Sequence, residues 1–243
     1  MPEYLNLSEA IYYGVGKYEV PEIKPVYEVP YIDEWKGFNF AKTTHQSSRK
    51  TTGINFFLDD YQFERVWNYP EKYAKLLKQF GAVLSPDFSM YGNFPTAVQI
   101  FNHYRRQWLG RYWQERGITV IPTACWADKT SFEWCFDGLP KHSIIAVGNV
   151  GRVKRPGEIK WFLDGYNTML EVLQPTQVLF FTKVFKDIYQ GPITYIKYTG
   201  NSTYNPVLEM IQKGAEENGE KYGDKTEEKQ ESSRTETRSS KEK

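Results

Sequence analysis

The sequence predicts a single α/β domain built on a mostly parallel sheet. Three observations carry that reading. Short apolar runs recur without polar alternation, as strands buried on both faces do. Helix-length segments of mixed polarity separate them. Successive runs start about 25 to 35 residues apart, the size of a βα unit. The chain has 243 residues, 40% of them hydrophobic and 25% charged, which is ordinary globular composition.

In chain order, Pro21, Pro25 and Pro30 come first, among Tyr and Val. That density of proline forbids a long helix and favours extended chain. Tyr27, Tyr31, Trp35, Phe38 and Phe40 are too apolar to float free, so residues 1–52 read as an ordered arm packed on the core. The core, 53–213, opens with the run Gly53-Ile54-Asn55-Phe56-Phe57-Leu58. Helical spacing follows over 63–80, interrupted by Pro70. Ala82-Val83-Leu84 is the second strand. Pro95 then starts a helix that runs from about Thr96 to Glu115 and stops before Gly117. Its apolar stripe is Ala97, Ile100, Phe101, Tyr104, Trp108 and Tyr112. The remaining strands are 118–123, 143–147, 178–181 and 193–196, with a helix over 158–173. Five to six strands with helical crossovers fit either an incomplete (β/α)-barrel-like sheet or an open doubly wound one. The barrel-like form is preferred, because polar residues end strand after strand. Residues 214–243 carry nine acids against seven bases and no Val, Ile, Leu or Phe, so they read as a disordered charged tail.

Bulk properties narrow the function. Lys plus Arg is 31 and Asp plus Glu is 30, so net charge gives no argument for wrapping DNA or coating an anionic membrane. No apolar run is long enough to span a bilayer, and the first residues lack the pattern of a secretory signal. Two cysteines, Cys125 and Cys135, make no disulfide framework, so the expected compartment is a reducing cytoplasm.

Parallel strands bring their carboxyl ends to one face, where residues distant in sequence converge. The expected catalytic set is Asp59, Asp87, Asn149 and Lys183. Asp60, Ser85, Thr123, Trp126 and Arg152 are the expected substrate contacts. Close carboxylates raise one another's pKa and make a general acid. Asp59 and Asp87 could instead hold a divalent cation through oxygen. Asp is also a common turn and cap residue, and this structural role competes at each position. Cys125, Cys135 and His142 lack zinc-site spacing. Gly148-Asn149-Val150-Gly151, followed by Arg152, Lys154 and Arg155, is the nearest approach to a phosphate loop but matches no fingerprint. Arg105, Arg106, Arg111 and Arg116 give the long helix a basic edge, read first as solvated and second as a contact for nucleic-acid backbone.

Four stretches in order carry a resemblance: FFLDDYQFERVW, LSPDFSMYGNFP, YWQERGITVIPTACW and WCFDGLPKHSIIAVGNVG. Together, from Phe57 to Gly151, they resemble the domain-of-unknown-function family forty-four seventeen of phages, prophages and other bacterial mobile elements. The resemblance implies a mobile-element protein working in the host cytoplasm. It implies no reaction and assigns no residue. The function expected from the residues is hydrolysis of a phosphodiester or glycosidic bond. The competing expectations are a module that binds nucleic acid or a host protein, and a nucleotide-sequestering antagonist of host defence.

Overall fold

Among the described residues, seven parallel strands follow one another in both sequence and space. The computed structural model describes residues 12–149, 156–182 and 190–197, without the side chains of 156–158 and 197. The tail 214–243 lies outside the described residues. An antiparallel ribbon, β1 (Gly14–Val15) with β2 (Val20–Pro21), comes first. The parallel strands are β3 (Glu34–Gly37), β4 (Thr52–Asn55), β5 (Ala82–Leu84) and β6 (Val120–Ile121), then β7 (Ile144–Gly148), β8 (Gln177–Thr182) and β9 (Ile193–Lys197). Each pairs with its neighbour in number, except that β6 and β7 are joined just past β6. There a parallel bridge links Thr123 to Ala146, with Ala146 N–H donating to Pro122 O at 2.8 Å and Ala124 N–H to Ala146 O at 2.9 Å.

The unbroken order is that of a (β/α) barrel, since a doubly wound sheet reverses direction at a switch point. Packing agrees. Trp35, Ala82, Leu84, Ile121, Ile144, Ala146, Leu179, Phe181 and Ile196 form one buried cluster, so the sheet curls around an interior filled by its own side chains. Trp35 of β3 meets Phe181 of β8 edge to face at 5.4 Å. The residues between them in sequence point outward. Ile54, Val83 and Val120 pack under α2 (Pro70–Leu77) and α3 (Thr96–Glu115). Ile145, Val147, Val178 and Phe180 pack under α4 (Pro156–Leu173). A short helix, α1 (Arg65–Asn68), precedes α2. Apolar residues on both faces of each strand are why the strand runs do not alternate.

Two differences from the sequence reading have physical causes. The arm supplies β3, one strand more than six, because Trp35 finds room only over a residue with no side chain: a Cβ on Gly53 would sit 2.4 Å from its ring. The first core strand also ends early, at Asn55. There the Asn55 Oδ1 accepts from Phe57 N–H at 3.3 Å and turns the chain inward. Phe57 then lies against Gly148, where an added Cβ would come within 2.5 Å of the ring. Gly148→Ala is therefore expected to overpack the barrel interior and lose roughly 1–3 kcal/mol, read as a lower urea midpoint at unchanged m-value.

Among the described residues, no helix is long and apolar enough to cross a membrane.

Candidate active site at the carboxyl ends of β4 and β5

Past β4 the chain enters a 3-10 turn, Asp60–Gln62, and past β5 it runs irregularly through Ser85–Pro95 to α3. These two segments are tied together. Ser89 N–H donates to both Asp60 oxygens at 3.2 and 3.1 Å, and its hydroxyl donates to Oδ1 at 2.8 Å. Burial, the largest influence, lifts the Asp60 carboxyl above the ordinary range. The Asp87 charge adds to this, while the Ser89 hydrogen bonds and Arg105 oppose it.

Beneath them α3 carries the cations. Arg106 is fully buried. Its Nε donates to Pro86 O at 3.1 Å, and Nη2 donates to Phe88 O at 2.9 Å and faces Asp87 Oδ1 at 3.4 Å. Arg105, also buried, pairs with Glu64 at 2.5 Å and donates to Asn102 Oδ1 at 2.7 Å. It stacks over Phe88 at 3.9 Å. Asn102 returns a bond to Ser89 O at 2.6 Å. The solvated basic edge expected at Arg105 and Arg106 is therefore corrected. Those guanidiniums face inward and build the loop, because a forked donor can serve several acceptors at once: two backbone carbonyls for Arg106, and the Glu64 carboxylate and Asn102 amide oxygen for Arg105.

The first turns of α3 are inverted. Gln99, Asn102, His103, Arg106 and Gln107 are buried, while Ala97 and Phe101 of the expected apolar stripe are exposed. The buried positions fall at helical spacing, and that polar stripe was the signal available in the sequence.

The other expected residues are placed as follows. Asp59 is exposed and opens the 3-10 turn, its carbonyl accepting from Gln62 N–H at 2.9 Å. Asn149 is half-buried past β7, its N–H donating to Phe181 O at 3.2 Å. Phe57 lies against Gly148, so the segments bearing Asp59 and Asn149 leave the sheet as neighbours. Ser85 and Thr123 are fully buried and lock β5 to the end of β6: Thr123 N–H donates to Ser85 Oγ and Thr123 Oγ1 to Ser85 O, both at 2.8 Å. Trp126 is fully buried, 4.9 Å from Phe162 and pressed on Gly165. Arg152 and Lys183 lie outside the described residues. Tyr61 and Tyr91, which flank the Asp60–Ser89 contact in sequence, are 79% and 51% exposed. Among the described residues, no group of three or more His, Cys, Asp or Glu is placed to hold a metal ion.

Residues 12–199 match the model of a family described as Domain of unknown function (DUF4417). The chain belongs to that family. It is 40% identical over 163 residues to the Gene 1 protein of Mycobacterium phage L5, covering 67% of this chain and 70% of the relative. It is 36% identical over 162 residues to the Gene 1 protein of Mycobacterium phage D29, covering 67% of this chain but only 59% of that protein. No solved structure matches. The DUF4417 span takes in the whole described barrel, from the β1–β2 ribbon to β9.

Proposed function

We propose that this phage-type protein is a hydrolase working at the carboxyl ends of its parallel strands, in the host cytoplasm. The observation that carries the reading is the placement of Asp60: a carboxyl past β4 held by Ser89 of the loop past β5, near Asp87, and lifted above its ordinary range chiefly by burial. A carboxyl with raised affinity for its proton and a second carboxyl nearby are the minimum equipment for acid–base cleavage. In this reading Asp60 donates the proton to the leaving oxygen. Burial, and to a smaller degree the charge of Asp87, favours the proton on Asp60, and exposed Asp59 takes the proton of the attacking water. Asn149 donates to the developing negative charge. Tyr61 and Tyr91 offer rings on which a sugar could stack. A glycosidic bond suits this set better than a phosphodiester, since two carboxyls suffice for it. The buried thiols Cys125 and Cys135 fit a reducing compartment.

The test is turnover of chromogenic glycosides and of bis(p-nitrophenyl) phosphate by the full chain. Asp60→Asn is expected to lower kcat by about 10²- to 10⁴-fold while the fold stays intact. Wild-type protein inert toward both substrate classes would defeat the proposal, as would an Asp60→Asn variant as active as its parent.

A further inference from the structure

We propose that the outer flank of α1 and α2 is a docking surface for the phosphate backbone of a nucleic-acid duplex. Three cations gather around one ring: Lys42, Arg65 and Lys72 lie 6.0, 5.9 and 6.0 Å from the centre of Tyr73. Lys50, Lys78 and Arg49 continue the patch. The Lys50 ammonium donates to the carbonyl of Lys78 at 3.5 Å, and Arg49 bonds the Gln79 side chain and lies over Phe80 at 5.4 Å. Arg49 is half-buried and the other five are exposed. Among the described residues, none of the six makes an ion pair. Glu71, the acid on α2, instead turns to Arg116 at 2.7 Å and Lys75 at 3.9 Å. Like charges packed this closely repel, and a polyanion relieves that repulsion while releasing its own counterions.

The chemistry of the surface selects the partner. Tyr73, Phe38 and Phe80 lie under the cations at 4%, 2% and 4% exposure. They brace the charges and offer no face to an unstacked base, and Tyr69, under Lys72 at 5.7 Å, is half-buried against the core, so the surface favours phosphate contact over the open stacking platform that single strands need. What remains is sequence-independent contact with backbone phosphates. This site is separate from the carboxylates past β4 and β5 and does not depend on the hydrolase reading.

The experiment is fluorescence anisotropy of a short labelled duplex DNA titrated with the full chain at increasing potassium chloride. Binding should weaken linearly in log–log form. The variant Lys42→Gln, Arg49→Gln, Lys72→Gln, Lys78→Gln should lower the slope by roughly 3–4, close to one for each phosphate no longer neutralised. Replacing Lys129, Lys141 and Lys160 by Gln should leave it unchanged. Acetylation footprinting of the wild type gives a readout free of any folding defect: duplex should protect Lys42, Lys72 and Lys78 but not Lys141. The inference is overturned by salt-independent or absent binding, by an equal drop in the control variant, by failure of protection, or by tighter binding of the single strand.

Discussion

Arg106→Ala is expected to destabilise the chain by about 3–5 kcal/mol, the range for removing one member of a buried charged network. The side chain is fully buried, and its donors serve Pro86 O, Phe88 O and Asp87 within one short loop. Alanine would leave a cavity the size of a guanidinium and strip two buried carbonyls of their donors, each carrying its own desolvation penalty. It would also remove the cation facing Asp87. Arg106→Lys should recover little, because one ammonium cannot reach three acceptors in a fork. Against a typical domain stability of about 5–15 kcal/mol, the alanine variant should unfold at a much lower urea concentration. Its loop should also become susceptible to proteolysis near Phe88. An Arg106→Ala unfolding free energy within about 0.5 kcal/mol of wild type would show that the network contributes nothing net. The Asp60–Ser89 tie, which hangs on the same loop, would then need another support.

This network also marks the boundary of what the sequence could disclose. The ends of α3 were legible at Thr96 and Glu115, because Pro95 presets the entry and Gly117, at φ +74°, supplies the left-handed exit. The apolar runs that became β5, β7, β8 and β9 were legible because burial on both faces writes itself locally. Strand order was not. Nothing local in Thr123 or Ala146 announces their bridge, and that bridge makes the order consecutive. The strand Glu34–Gly37 was hidden for the same reason, since Trp35 is accommodated by a glycine 18 residues away in sequence. At the site, Asp60 and Asp87 were legible as carboxylates at strand ends. Their supports, Arg105 and Arg106, were read as surface charges because isolated arginines usually are. The warning lay in their company: Gln99, Asn102, His103 and Gln107 share the stripe, and such a face is either solvated or internally paired. Phe101, 46% exposed on the other side, resolves it toward internal pairing.

His103 should make stability fall as the medium is acidified, by about 2 kcal/mol between pH 7 and pH 5. The imidazole is fully buried, and burial, reinforced by the nearby Arg106 charge, depresses its pKa from 6.5 to about 3. Its Nε2 lies 3.0 Å from the Asp137 carbonyl, which can only accept, so Nε2 carries the proton. Nδ1 has no hydrogen-bond partner among the described residues. Protonating Nδ1 would bury a second cation beside Arg106. The unfolded chain meets no such obstacle and takes up a proton near pH 6.5. Between those two values the unfolded state binds more protons than the folded one. The stabilisation is therefore complete above pH 6.5 and lost progressively toward pH 3, where it totals about 4–5 kcal/mol. His103→Gln keeps an uncharged polar group in place and should flatten the profile between pH 7 and 5 relative to wild type, whatever it does to stability at pH 7. Urea midpoints of both proteins at pH 7, 6 and 5 make the comparison. Should the variant not fold, the imidazole carbon resonances of the wild type serve instead: those of His103 should stay unshifted to pH 4. Parallel stability profiles in the two proteins, or a His103 resonance titrating near pH 6, would mean that the helix stripe is open to water rather than sealed.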